Sequence, residues 1–286
     1  MQPHVEVQGV RIPRLVYGTA WKEDATSGCV KKALDAGFRG IDTANQGRHY
    51  HEAGVGSAVQ EFLLAGAAKR QDVFLQTKFT YVNGQDHRLP YDPKAPVSTQ
   101  VEQSFASSLE HLGVDRLDAY LLHGPSFQVG VSKTDWEAWR AMEALQTAGK
   151  ARLIGVSNVS FEQLEALHAG AQVKPRIVQN RTFTRPSADR AVRDFCQKHG
   201  LAYEGFSLLT AILPLLRHPR IEEIVTRTRR SAPEVIFRYA LEQGMTVLTG
   251  TTSPEHMRAD LSVFDFEPKA DEVHTIEALV SGGRPR

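Results

Sequence analysis

Apolar and polar positions along this chain alternate between two spacings. Short apolar runs, each closed by a polar residue, are separated by longer stretches in which apolar positions recur at helical spacing. The short runs predict strands at Arg14 to Thr19, Arg39 to Thr43, Val73 to Phe79, Leu117 to His123, Ala151 to Asn158, Ile177 to Arg181, Leu201 to Ser207 and Met245 to Gly250. The helical spacing predicts Ala25 to Ala36, Glu52 to Leu64, Val97 to Leu112, Lys133 to Ala148, Ser160 to His168, Ala188 to Lys198, Ile221 to Arg229, Pro233 to Gln243 and Ala270 to Val280, with a further helix opening near Pro254. Gly37, Gly113, Gly149, Gly170, Gly200 and Gly244 stand where helices are expected to end. Ahead of these units, Val5, Val7, Val10 and Ile12 flank Gln8-Gly9, which reads as a small hairpin. Strand and helix in alternation predict parallel strands joined by crossovers.

A doubly wound sheet alternates in the same way, so the placement of polar residues has to decide. No G-x-G-x-x-G stands at a first strand-to-helix turn, and Gly54 and Gly56 fall inside a helical pattern. Polar residues gather instead at the C-terminal ends of many strands: Thr19, Asp42, Lys78, His123, Ser157 with Asn158, Gln179, Ser207 and Gly250 to Ser253. Sites built from several strand ends belong to a closed barrel. The expected fold is α/β, a (β/α)8 TIM barrel over residues 1–286 as one domain, with an N-terminal β-hairpin and a short C-terminal tail, SGGRPR. The stretch Tyr81 to Pro96, rich in Gly, Pro and Asp, reads as a functional loop over the barrel mouth.

Charge and composition narrow the partners. Lys plus Arg number 34 against 33 Asp plus Glu, a formal charge of +1 without basic or acidic runs, so neither nucleic acid nor an anionic membrane surface is expected. The two cysteines, Cys29 and Cys196, are too few and too isolated for a disulfide framework or a zinc site, and fit a reducing compartment. The opening MQPHVEVQGVRIPR has no apolar signal core, and no apolar run is long enough to span a bilayer. A soluble, cytoplasmic protein is expected. His49, His51 and Glu52 lack a third ligand at metal spacing, so no metal is expected.

The densest chemistry lies in Gly37 to Gly56, GFRGIDTANQGRHYHEAGVG. Asp42 ends a buried strand and needs a cationic or hydrogen-bonding partner. Lys78 and His123 close neighbouring strands, and Tyr50 follows in the loop, so Asp42, Tyr50, Lys78 and His123 form one candidate set. An ammonium beside a phenol stabilises the phenolate and is expected to bring the tyrosine's pKa down, making Tyr50 a general acid near neutrality. Asp42 would keep Lys78 charged, and His123 would donate a hydrogen bond to a carbonyl oxygen. Two other readings fit the same residues. Asp42 and Lys78 alone would make an ordinary buried ion pair, and a Lys78 held neutral would suit Schiff-base chemistry, as in a barrel lyase or aldolase.

At this point the chain resembles the aldo-keto reductases. The resemblance rests on GFRGIDTA with a following Tyr and VG, FLQTKF, LDAYLLHGP, IGVSN, PRIVQN, FSLL and VLTGTTSPEHMRADLSVFDF, which together cover nearly its whole length. It implies a barrel that reduces aldehydes or ketones with NADP(H), NAD(H) remaining open, and Asp42, Tyr50, Lys78 and His123 as catalytic residues. It also implies that Ser157, Asn158 and Gln179 hold the carboxamide, that Phe206 stacks on the nicotinamide, and that Ser207 and Leu209 meet the pyrophosphate. Gly18, Thr19, Asp42, Gly250, Thr251, Thr252, His256 and Asp260 complete the implied cofactor contacts, and Trp21, His49, Tyr81 and Gly124 the substrate contacts.

Three departures stand out. Asp42 and Tyr50 are eight positions apart where the family usually has five, through the insertion Asn45 to Arg48, so His49 competes for the acid's place. Gly124 follows the catalytic histidine where a tryptophan is common, which leaves one pocket wall more open. Gly250 and His256 stand where a lysine and an arginine usually clamp the 2′-phosphate, leaving the hydroxyls of Thr251, Thr252 and Ser253, the nearby Arg258 and a helix N-terminus to receive it. The family also implies a monomer. A barrel that binds NADP(H) as a sensor without turnover remains the alternative.

Overall fold

The protein was analysed as a computed structural model, which describes residues 1–184 and 186–282. Strands β1 (His4–Val7) and β2 (Val10–Pro13) form the antiparallel hairpin, with Val7 opposite Val10. Its two-residue turn holds both Gln8 and Gly9 at positive φ, 48° and 73°, the twist that suits a tight hairpin.

Eight further strands close a parallel barrel: β3 (Leu15–Gly18), β4 (Gly40–Asp42), β5 (Phe74–Phe79), β6 (Leu117–Leu122), β7 (Ala151–Ser157), β8 (Ile177–Asn180), β9 (Ala202–Gly205) and β10 (Thr246–Thr249), with β10 returning to pair with β3. Around it lie α1 (Thr26–Ala36), α2 (Glu52–Leu64), α3 (Val97–Leu112), α4 (Lys133–Thr147), α5 (Phe161–Gly170), α6 (Arg190–His199), α7 (Pro219–Thr228), α8 (Ala232–Glu242), α9 (Pro254–Leu261) and α10 (Ala270–Val280). The expected barrel and hairpin are both present; residues 283–286 of the expected tail lie outside the described residues.

Two apolar layers organise the interior. The larger joins the outward faces of the strands to the helices. The smaller fills the barrel's lower end, where Val10 and Ile12 of the hairpin pack on Phe74, Ala119, Leu121 and Leu153. The hairpin thus plugs one end of the barrel and leaves the other end to polar chemistry.

Five of the six glycines expected at helix ends have positive φ there, but Gly170 does not. It is the last residue of α5, and a Cβ on it would lie 2.6 Å from the ring of Trp136, so close packing accounts for this glycine. Among the described residues, no helix is long and apolar enough to cross a membrane.

Candidate active site

β4 and β5 pair in register with Asp42 opposite Gln76, and strand alternation sends Gln76 and Lys78 to the same inner face. Lys78, wholly buried, donates to Asp42 Oδ1 and Oδ2, both at 2.7 Å, and to the Thr43 carbonyl at 2.8 Å. Its three protons therefore have acceptors. Burial alone would lower the lysine's pKa, but Asp42 reverses this and the net shift is upward. An ammonium held in this way is not a Schiff-base nucleophile.

Tyr50 stands over this pair. The Lys78 Nζ lies 5.4 Å from the tyrosine ring centroid, and the rings of Tyr50 and His123 meet edge to face at 6.0 Å. The tyrosine's pKa departs from the sequence expectation. Burial pushes it up, Asp42 adds to this, and Lys78 offsets only part, so Tyr50 is a neutral phenol rather than one tuned towards neutrality. His123 is driven the other way, to about 3, by burial and then by Lys78, so its imidazole is uncharged. Its Nδ1 lies 2.6 Å from the Thr80 hydroxyl, and when that hydroxyl donates, Nε2 carries the ring's proton.

The three-residue excess between Asp42 and Tyr50 is accommodated by stitching. Gln46 Nε2 donates to the Gly84 carbonyl at 2.6 Å, Gln85 Nε2 to the Asn45 carbonyl at 2.8 Å, and Arg88 to the Gly47 carbonyl. The insertion and the loop beyond Tyr81 thus hold one another over the mouth. Beyond the insertion, Glu52 anchors the start of α2 by accepting from Thr77 on β5 and from His111 Nδ1, the latter at 3.0 Å. These contacts set Tyr50, and not His49, beside Lys78. The His49 ring instead stacks on Trp21 with centroids 3.9 Å apart.

These groups open into a cavity of about 330 Å³, lined among others by Tyr50, His123, Asn158, Trp21, His49 and Tyr81. Gly124 also lines it and contributes no side chain. A larger hollow, about 490 Å³, opens under the hairpin at the far end of the barrel, away from this chemistry.

Sequence reasoning passed over Glu204, in the β9 run AYEG, although a lone acid in a buried strand is a signal in itself. Gln76 Nε2 and Gln179 Nε2 each bridge two carboxyls: both reach Asp42 Oδ1, at 2.9 and 3.0 Å, and Glu204 Oε2, at 2.7 and 2.9 Å. Burial, with Asp42 nearby, lifts the Glu204 pKa to about 7.

The remaining candidates line the strand ends. The Ser157 hydroxyl donates to the Gln179 carbonyl at 2.7 Å, and Asn158, at φ 53°, donates through Nδ2 to the His123 carbonyl at 2.9 Å. The helix that follows is capped by Ser160, not by this pair. Thr19 is buried, with its hydroxyl on the Asp42 carbonyl at 3.0 Å, and Gly18 lies beside Thr249. Phe206, Ser207 and Leu209 are half-buried after β9, with Ser207 at φ 56°.

Around Gly250 the structure supplies a cation that the motif lacks. Lys22 Nζ donates to the Gly250 carbonyl at 2.7 Å and lies 5.2 Å from the centroid of the Tyr17 ring, with Lys22 only 8% exposed. Thr252 and His256 are exposed and Thr251 half-buried, while Ser253 caps α9 through the His256 amide. Asp260 turns inward, accepting from Thr249 at 2.7 Å, and burial raises its pKa to about 6.

Comparison with known proteins gives the family and the fold. The family model described as Aldo/keto reductase family covers residues 15–281. The chain belongs to that family. The oxidoreductase YtbE of Bacillus subtilis, named as uncharacterized, is 33% identical over 95% of this chain and 90% of its own length; the glyoxal reductase of the same organism is 31% identical over the same shares. Among solved structures, an aldo/keto reductase from Brucella melitensis superposes with a TM-score of 0.80 at 29% identity, covering 98% of each chain. The aldo-keto reductase AKR2E5 complexed with NADPH superposes at 0.81 with 26% identity, over 98% of this chain and 87% of its own.

The chain's own polar atoms fit a nicotinamide carboxamide. Asn158 and Gln179 commit their NH2 groups to the protein, and no described residue takes Asn158 Oδ1 or Gln179 Oε1. That leaves two acceptors, the complement of an amide NH2.

Proposed function

We propose that this aldo-keto reductase reduces aldehydes or ketones with NADPH, with Tyr50 as the general acid. The observation that carries the reading is the Tyr50 phenol beside a neutral His123 and over the buried, bidentate Asp42–Lys78 pair. When bound, the reduced nicotinamide supplies the hydride. Asn158 and Gln179 would hold its carboxamide, Phe206 would pack on its ring, and Ser207 and Leu209 would border its pyrophosphate.

Tyr50 supplies a proton to the carbonyl oxygen, and His123 Nε2 donates a second hydrogen bond that orients it. Burial keeps Tyr50 protonated until that oxygen gains charge. Lys78 stabilises the phenolate left behind, and Asp42 holds Lys78 in place and charged. His49 does not take the acid's role, because its ring is drawn away onto Trp21. Lys22, with the hydroxyls of Thr251, Thr252 and Ser253 and the start of α9, receives the cofactor's phosphates in place of the clamp absent at Gly250 and His256. The small cavity, and a relative named for glyoxal, favour a short carbonyl substrate.

The test is to titrate the protein with NADPH and NADH and then follow nicotinamide absorbance as aldehydes are added. NADPH is expected to bind more tightly, and Lys22→Met to narrow that preference. Tyr50→Phe is expected to lower turnover by roughly 10²–10⁴-fold, whereas His49→Gln is expected to keep turnover of an aldehyde without a hydroxyl. Binding without turnover on any carbonyl would favour a sensor, and binding of neither nucleotide would remove the cofactor assignment.

A further inference from the structure

We propose that His49 makes this site selective for short hydroxylated carbonyls, such as hydroxyaldehydes, by accepting a hydrogen bond from the substrate's hydroxyl. The proposal rests on the reductase reading and adds to it the class of substrate.

The orientation of the His49 ring follows from Gln46. Gln46 Nε2 is committed to the Gly84 carbonyl at 2.6 Å, so the atom 3.0 Å from His49 Nδ1 is the amide oxygen. An amide oxygen only accepts, so Nδ1 carries the proton. Burial and the neighbouring Arg48 keep the ring below its ordinary pKa, with Asp86 opposing them. The neutral ring then has a lone pair on Nε2, which no described residue occupies.

Tyr50 and the Nε2-protonated form of His123 offer donors, which suit a carbonyl oxygen. His49 offers an acceptor, which a carbonyl oxygen cannot satisfy and a hydroxyl can. Trp21 holds the acceptor in place. Its backbone sits at φ 61°, a strained setting for so bulky a side chain, and its amide donates to the His49 carbonyl at 2.8 Å while its ring stacks on the imidazole. The cavity's 330 Å³ is near the lower end for small-molecule sites, so a short chain fills it and places its hydroxyl within reach of the walls.

The experiment compares kcat/KM for D-glyceraldehyde and propanal, matched in carbon number, in the wild type, His49→Phe and Gln46→Leu with saturating NADPH. His49→Phe keeps a ring against Trp21 and removes the acceptor; Gln46→Leu removes the group that fixes the tautomer. The wild type is expected to favour glyceraldehyde by roughly threefold to tenfold, the range of one net hydrogen bond. The ratio should fall towards one in His49→Phe and lie between the two in Gln46→Leu. Because the readout is a ratio, a general loss of activity cancels. Because aldehydes hydrate in water, concentrations are corrected for the free carbonyl form measured by NMR. A wild-type ratio near one, or a ratio that survives in His49→Phe, overturns the assignment while leaving the reductase intact. Turnover of neither aldehyde nor any other carbonyl overturns the reductase reading and this one with it.

Discussion

Two residues of the site, Glu204 and His123, respond to pH in opposite directions. Glu204 has no exposed surface, and its Oε1 has no described partner. Its ordinary pKa of 4.5 is lifted to about 7. Between those values the folded protein keeps a proton that the unfolded chain releases, so the stability Glu204 contributes is complete below the lower value and is lost as pH rises through the upper one. His123 acts oppositely: with its pKa lowered from 6.5 to about 3, folding gains stability as pH rises through that interval. Glu204→Gln should therefore remove the decline between about pH 4.5 and 7. Melting temperatures at pH 5 and pH 8 check this: relative to the wild type, the variant should gain more at pH 8. An equal change at both would show that the buried carboxyl does not titrate there.

At the scale of elements, the position of Tyr50 depends on how closely α2 approaches α3. A Cβ on Gly56 would fall 1.9 Å from the His111 carbonyl oxygen, a backbone atom that cannot step aside without moving α3. A Cβ on Gly54 would meet the His51 ring at 3.2 Å, the Thr26 Cβ at 3.3 Å and the Ser27 amide nitrogen at 3.4 Å, contacts that a shift of a few tenths of an ångström relieves. Gly56→Ala is expected to destabilise the fold by about 1–3 kcal/mol or more, and Gly54→Ala by much less, since alanine also favours the helix. Denaturant midpoints of the two variants test the contrast. Equal midpoints would mean that α2 shifts freely and does not fix the loop that carries Tyr50. Glu52, on the same helix, ties that loop to β5 and to α3.

Across the whole molecule, the two ends of the barrel divide stability from chemistry. The hairpin closes one end with Ile12, fully buried among the apolar side chains of the strands. Ile12→Ala should cost about 2–5 kcal/mol, read as a lowered unfolding midpoint, with KM for aldehyde and nucleotide unchanged in the folded protein. A changed KM would show that the two ends are coupled. The opposite end carries the buried charges, the strained backbone at Trp21, Asn158 and Ser207, and the cavity.

Much of this was legible in the chain itself. The alternation of short apolar runs with helical spacing determined parallel strands joined by crossover helices, and the polar residues at many strand ends, rather than at one strand-to-helix turn, decided for the barrel. Polar residues closing apolar runs marked Asp42, Lys78 and His123, because the end of a barrel strand is where a buried run meets an open site. Other features depended on contacts between residues far apart in sequence. Neither Asn45 to Arg48 nor Tyr81 to Pro96 reveals alone that the two are stitched together. The pairing of Glu204 with Asp42 through Gln76 and Gln179 exists only once the barrel has closed, and Lys22 reaches Gly250 only because β10 returns beside β3. Spacing along a strand determined which face a side chain takes; only closure of the barrel decided which charges meet, and with them the direction of the Tyr50 pKa, because burial and the attraction between charges depend on distance through space.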